Sequence, residues 1–153
     1  MIDVIAKLSQ KGLSLPEPPK PGGAYDSVRI VKGVAYVSIQ FPFQEDQLHY
    51  QGRLGGELTT QDGYQAARLC ALNVLAQMHR YVGFASVLAL NHLEAYMQTA
   101  EGWDDFPKVL DGASQLFWEA LGEVGRHSRS LMGVERLPLN APVALVTTFT
   151  LRE

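Results

Sequence analysis

The sequence predicts one α+β domain, a mixed β-sheet with two helices packed on one of its faces. Three observations carry this expectation. Residues 25–31 and 34–40 are β-rich runs joined by Lys32-Gly33, which reads as a hairpin. Two stretches of helical periodicity follow, each leading into a run of β-formers. The final run, 143–151, is dominated by Val, Thr and Phe. It closes the order ββαβαββ, in which strands share one layer and helices another.

Near the start, Ile2, Val4, Ile5 and Leu8 recur at helical spacing ahead of Gly12, so a short helix should end near Lys11. Residues 15–23 hold four prolines and two glycines and can be neither helix nor central strand. Residues 1–22 are therefore expected to form an accessory helix and an extended surface arm. After the hairpin, 41–57 reads as loop, punctuated by Gly52, Gly55 and Gly56. The clearest helix starts at Thr59 or Thr60, where Asp62 completes a capping-box pattern. Tyr64, Ala67, Ala71, Val74, Leu75, Met78 and Tyr81 fall on its apolar face, and Gly83 stops it. Residues 87–97 form a strand with Leu88, Leu90, His92, Glu94 and Tyr96 on one side. A second helix covers 111–121 up to Gly122, and a further strand covers 129–136.

At 153 residues, one domain from 1 to 153 is expected, large enough to bury its own core. Thirteen basic residues against sixteen acidic ones give a charge of −3. That balance provides no basic stripe for nucleic acid, and nucleic acid is not an expected partner. The single cysteine, Cys70, rules out an internal disulfide and suggests a reducing, cytoplasmic setting. The N-terminus lacks the pattern of a signal peptide, and no apolar run reaches a membrane span.

The common chemical motifs are missing: no phosphate-binding loop, dinucleotide fingerprint or nucleophile elbow. His49, His79, His92 and His127 have no ligand-like spacing, so no metal and no cofactor are expected. Arg129 stands out because it opens a β-rich segment after a turn. The residues alone leave two readings open for it, an edge salt bridge or a two-pronged grip on a carboxylate. Cys70, Trp103 and Trp118 are expected to serve packing, and His127 to sit on a turn surface.

Gly23-Ala24-Tyr25, Val37-Ser38-Ile39-Gln40-Phe41-Pro42, the run from Ala66-Ala67-Arg68 to Ala76, and Ser128-Arg129-Ser130 through Leu137-Pro138 occur in that order across residues 15–151. Together they resemble the motifs of the RidA (YjgF, L-PSP endoribonuclease-like) family, in a divergent branch. The resemblance implies a chorismate-mutase-like fold, with three subunits closing their sheets into a trimeric barrel. It also implies hydrolysis of enamines and imines, such as 2-aminoacrylate, to 2-keto acids and ammonia without metal or cofactor. The matching residues make Arg129 the group that binds the substrate carboxylate, Tyr25 a cleft wall, and Ser38 a neighbour at the strand end. Two positions depart from the family pattern. Ile39 replaces a glycine, and Ala144 stands where many active members carry a glutamate that helps place water. Leu131 fills the place of the family's reactive cysteine. Two functions are carried forward: an imine or enamine deaminase, and a non-catalytic module binding small carboxylates such as 2-keto acids. Ribonuclease or translation-inhibitor activity, attached to some relatives, is disfavoured by the acidic balance.

Overall fold

In the computed structural model, which describes residues 3–153, the chain forms α1 (Val4–Gln10), β1 (Val28–Val31), β2 (Val34–Gln40), β3 (Phe43–Gln44), β4 (Gln47–Leu48) and α2 (Thr60–Tyr81). These are followed by β5 (Val87–Gln98), α3 (Phe106–Leu121), β6 (Ser128–Val134) and β7 (Val143–Leu151). The main sheet has the order β1-β2-β7-β5-β6. Its neighbours are antiparallel except β5–β6. That pair is bridged by α3, the long crossover a parallel pair needs. This is the α+β, chorismate-mutase-like arrangement expected from the sequence.

One sheet face supplies Ala35, Val37, Leu93, Met97, Leu145 and Phe149 to the core. Ala67, Ala71, Leu75 and Met78 of α2 and Leu110, Ala113 and Phe117 of α3 complete it. The capping box at the head of α2 is formed. Thr59 Oγ1 accepts from the Asp62 amide at 3.0 Å, and Asp62 Oδ2 accepts from the Thr59 amide at 2.9 Å. Tyr81, expected on the buried face, is 54% exposed in the helix's last turn. The two helices approach closely at Gly112, where a Cβ would run into the Tyr64 carbonyl.

Several boundaries differ from the sequence reading. β1 begins at Val28, because residues 22–25 and 27 bend; the Ser27 carbonyl still accepts from the Ser38 amide at 2.9 Å. The expected loop holds the hairpin β3–β4. Its two turn residues, Glu45 and Asp46, have φ of 52° and 64°, the left-handed pair such tight hairpins need. Helix α3 starts at Phe106, with Pro107 in the first turn where its missing N–H costs nothing. In β5 the register shifts between Leu90 and His92. Leu90 therefore joins Leu93 in the core, while His92, Glu94 and Tyr96 face the other way. Strand β6 ends at Val134.

Ile2, counted in the N-terminal periodicity, lies outside the described residues. Val4 and Leu8 are buried in the main core, and α1 packs on α3. The arm is also fastened: Gln77 Nε2 donates to the Pro19 carbonyl at 2.8 Å, and Arg80 pairs with Glu17 at 3.0 Å. These contacts make residues 3–22 part of the packed structure rather than an accessory.

Deleting residues 3–10 should lower stability by the burial of Val4 and Leu8, roughly 1.5–3 kcal/mol each. A urea midpoint equal to that of the intact chain would contradict this. Gly112→Ala should cost about 3 kcal/mol, the upper end of the usual overpacking range, since backbone rather than a pliable side chain blocks the new methyl. Its thermal midpoint checks that.

Candidate functional site

At the end of β2 the pairing with β7 is irregular between Val37 and Gln40. This turns Ser38 and Ile39 out of the ladder. Ser38 Oγ donates to the Asp26 carbonyl at 2.7 Å, and Gln40 Nε2 donates to the Ser38 carbonyl at 2.9 Å. The Tyr25 hydroxyl accepts from the Gly22 amide at 3.0 Å, folding the arm's end over the strand. Between them lies a cavity of about 480 Å³, whose lining includes Tyr25, Ser38, Ile39, Gln40, Phe41, Pro138 and Leu139. Lys20 supplies its charged side chain. The structure thus brings Tyr25, Ser38 and Ile39 together.

Arg129 is elsewhere in the chain. Val37, Thr147, Leu93 and Arg129 occupy one cross-strand row, so Arg129 lies three strand spacings from β2, about 14 Å. It is on edge strand β6 and points to the helix side. Arg129 Nη1 donates to Asp111 Oδ1 at 2.8 Å and to Ser114 Oγ at 3.0 Å. Its Nη2 makes only a long 3.5 Å contact to the Pro107 carbonyl. Among the described residues Nε has no partner. The Nε–Nη2 edge, one of the two flat sides on which a guanidinium can hold a carboxylate, is therefore left largely open.

Ser114 is 3% exposed and also faces His127, with Oγ 2.9 Å from Nε2. His127 Nδ1 lies 2.7 Å from the Gly125 carbonyl, which can only accept, so Nδ1 carries the proton. Burial pushes the His127 pKa down. The Gly125 hydrogen bond works against this, and the Arg129 and His92 charges add to it. His127 is thus half-buried and engaged, not the surface residue expected. Trp118 is 51% exposed rather than packed, whereas Trp103 packs on the core and donates from Nε1 to Thr60 Oγ1 at 2.9 Å. Cys70 is fully buried, and its pKa is raised by burial, as befits a packing residue.

Ala144 is fully buried beside Leu137 and Ala141, with Ile39, Phe41 and Tyr96 packed around them. Glu135, on the same segment as Arg129, is exposed and pairs with Arg53 at 3.1 Å. Glu94 lies next to Tyr96, whose phenol is raised mainly by burial and further by that carboxylate. Sequence reasoning missed Asp111, Ser114, Gln40 and Lys20 as site residues. The three-residue spacing of Asp111 and Ser114 puts them on one helix face, but nothing in the sequence says that this face looks at β6.

Residues 5–151 match the family described as "YjgF/chorismate_mutase-like, putative endoribonuclease". A Trypanosoma cruzi protein, TCP17, is 34% identical over 142 residues, covering 92% of this chain and 89% of its own. A crystal structure of a Shewanella oneidensis protein described in the same endoribonuclease terms superposes with a TM-score of 0.93 at 35% identity, covering 96% of this chain and 98% of that one. The serine-bound structure of TdcF from E. coli matches more loosely, with a TM-score of 0.64 at 21% identity over 90% of this chain and 94% of its own. The chain belongs to the YjgF/RidA family. Within it, the chain stands nearer the Shewanella protein than TdcF.

The histidine environment has a consequence for stability. A base with a lowered pKa in the folded state stabilises fully above its unfolded value and loses that contribution as pH falls toward the folded one. The protein should therefore weaken as pH drops below the ordinary histidine value of 6.5. His127→Gln, which cannot titrate, should remove part of that slope. Parallel slopes of Tm against pH for the two proteins would contradict the assignment.

Proposed function

We propose that this chain binds small carboxylate metabolites, 2-keto acids or the imines and enamines that give rise to them, in clefts between the subunits of a homotrimer. The carrying observation is Arg129, held through Nη1 with its Nε–Nη2 edge open. The Tyr25–Ser38–Ile39 wall lies about 14 Å along the sheet from Arg129. A neighbouring copy would bring a second wall up to the arginine. The face turned away from the helices carries Tyr36 and Met132, 50% and 44% exposed, apolar area that a subunit contact would cover. The apolar cavity lining favours ligands with a short hydrocarbon side chain beside the carboxylate. A TdcF structure with bound serine offers a relative that holds an amino acid.

Hydrolysis of an imine needs little machinery. Water adds to the electrophilic carbon, and the carbinolamine collapses to a 2-keto acid with loss of ammonia. The protein must orient the carbon and the water. A second reading, binding without turnover, is favoured by Ala144, which brings no carboxylate to the position where active relatives are expected to carry one. Ammonia release from freshly generated 2-aminoacrylate separates the two.

Sedimentation should give about three times the 16.9 kDa chain mass, and a monomer would sink the cleft. Arg129→Lys keeps the charge but loses the planar fork. It should weaken 2-oxobutanoate binding by roughly 1.5–3 kcal/mol, the range for a hydrogen bond to a charged group. The Arg129–Asp111 pair is partly exposed, so the same change should cost about 1 kcal/mol of stability or less. Calorimetric titration of both proteins checks the first figure and thermal melts the second.

A further inference from the structure

We propose that Asp111, Ser114 and His127 form a positioning relay that fixes the Arg129 guanidinium in one orientation, with its Nε–Nη2 edge turned to the ligand carboxylate. This rests on the carboxylate-binding reading of Arg129. The relay has one self-consistent set of proton positions. His127 Nδ1–H donates to the Gly125 carbonyl, which leaves Nε2 as an acceptor. The Ser114 hydroxyl donates to that Nε2, so its oxygen is free to accept from Arg129 Nη1. Asp111 Oδ1 takes the other Nη1 hydrogen. Both hydrogens of Nη1 are then engaged, and the plane of the guanidinium cannot turn without breaking a bond to a buried hydroxyl. Hydrogen bonds aligned in one direction strengthen one another.

The frame under the relay is rigid. Asp111 and Ser114 lie within two residues of Gly112, where α3 meets the Tyr64 backbone of α2. Gly125, the carbonyl at the far end, is itself packed against the Phe117 backbone. The Asp111-Gly112-Ala113-Ser114 and Gly125-Arg126-His127 segments are thus parts of one device.

The relay requires a neutral His127. A proton on Nε2 would make it a donor, and the Ser114 hydroxyl, shut off from water, would lose its acceptor. The imidazolium would also feel the charges of Arg129 on β6 and His92 on β5. From α3, Asp111 is already committed to Arg129, and Glu119 pairs with Arg68. In the preceding turn, Glu123 and Arg126 pair with each other in solvent. None of these offers the new charge a free counterion, and the Phe117 and Trp118 rings beside it are apolar.

The test is titration of the full chain with 2-oxobutanoate, an anion throughout the range, at about pH 8 and about pH 5, with folding checked by circular dichroism. Wild-type affinity should fall on acidification, as His127 takes up its proton. Ser114→Ala and His127→Ala should bind about fivefold or more weakly even at the higher pH. His127→Gln, with an amide oxygen near the place of Nε2, should recover most of that loss and abolish the acid dependence. A purely structural role for His127 would move Tm without this pattern. If all three variants match wild type at both pH values while Arg129→Lys still weakens binding, the relay is overturned and the carboxylate reading stands. If Arg129→Lys binds as well as wild type, or wild type does not bind, the anchor reading fails and the relay with it.

Discussion

Helices α2 and α3 approach so closely at Gly112 that any side chain there would meet the backbone of Tyr64. Close-packed interiors transmit such constraints instead of absorbing them, and much of the structure follows from this one. The contact fixes how closely α3 lies beside α2. With α2 seated on the sheet, that spacing positions α3 beside β6, the strand that α3 delivers into a parallel pairing with β5. Asp111 and Ser114, within two residues of Gly112, reach Arg129 from this helix. Gly63 repeats the theme on α2, where a methyl would strike Leu54 and Val109.

The layered fold was legible because periodicity is a property of the chain itself. The Thr59–Asp62 box, the apolar stripe of α2 and the Val/Thr/Phe run of β7 each announce their element without reference to a partner. The misread boundaries are those where tertiary context decides. Asp46 tolerates a left-handed turn but Glu45 gives no such signal, yet β3–β4 closes through both. Pro107 reads as a breaker until it is placed in a first helical turn. The bulge in β5 shifts Leu90 to the core against strict alternation, and only pairing with β7 reveals it.

The candidate site was legible to a smaller degree. Tyr25, Ser38 and Ile39 could be named from their motifs, and they line one cavity. Arg129 could be named too, but its local partners could not. Asp111 precedes it by eighteen residues and Ser114 by fifteen, and no short-range rule joins them. The N-terminal segment was underrated for a similar reason. Proline content describes what a backbone cannot do, but not that Gln77 and Arg80 hold the arm to α2.

The burial of Ala144 bears on how this branch of the family can change. Active relatives are expected to carry an acid at this position. Here the surrounding space is already filled by Leu137, Ala141, Tyr96 and Ile39. A glutamate arriving alone would be forced among hydrocarbon, at the cost of an unpaired buried carboxyl. Room would have to be opened first by smaller or more polar neighbours, changes that by themselves leave a void. An acid at position 144 therefore calls for concerted change in its neighbours and not for a single exchange.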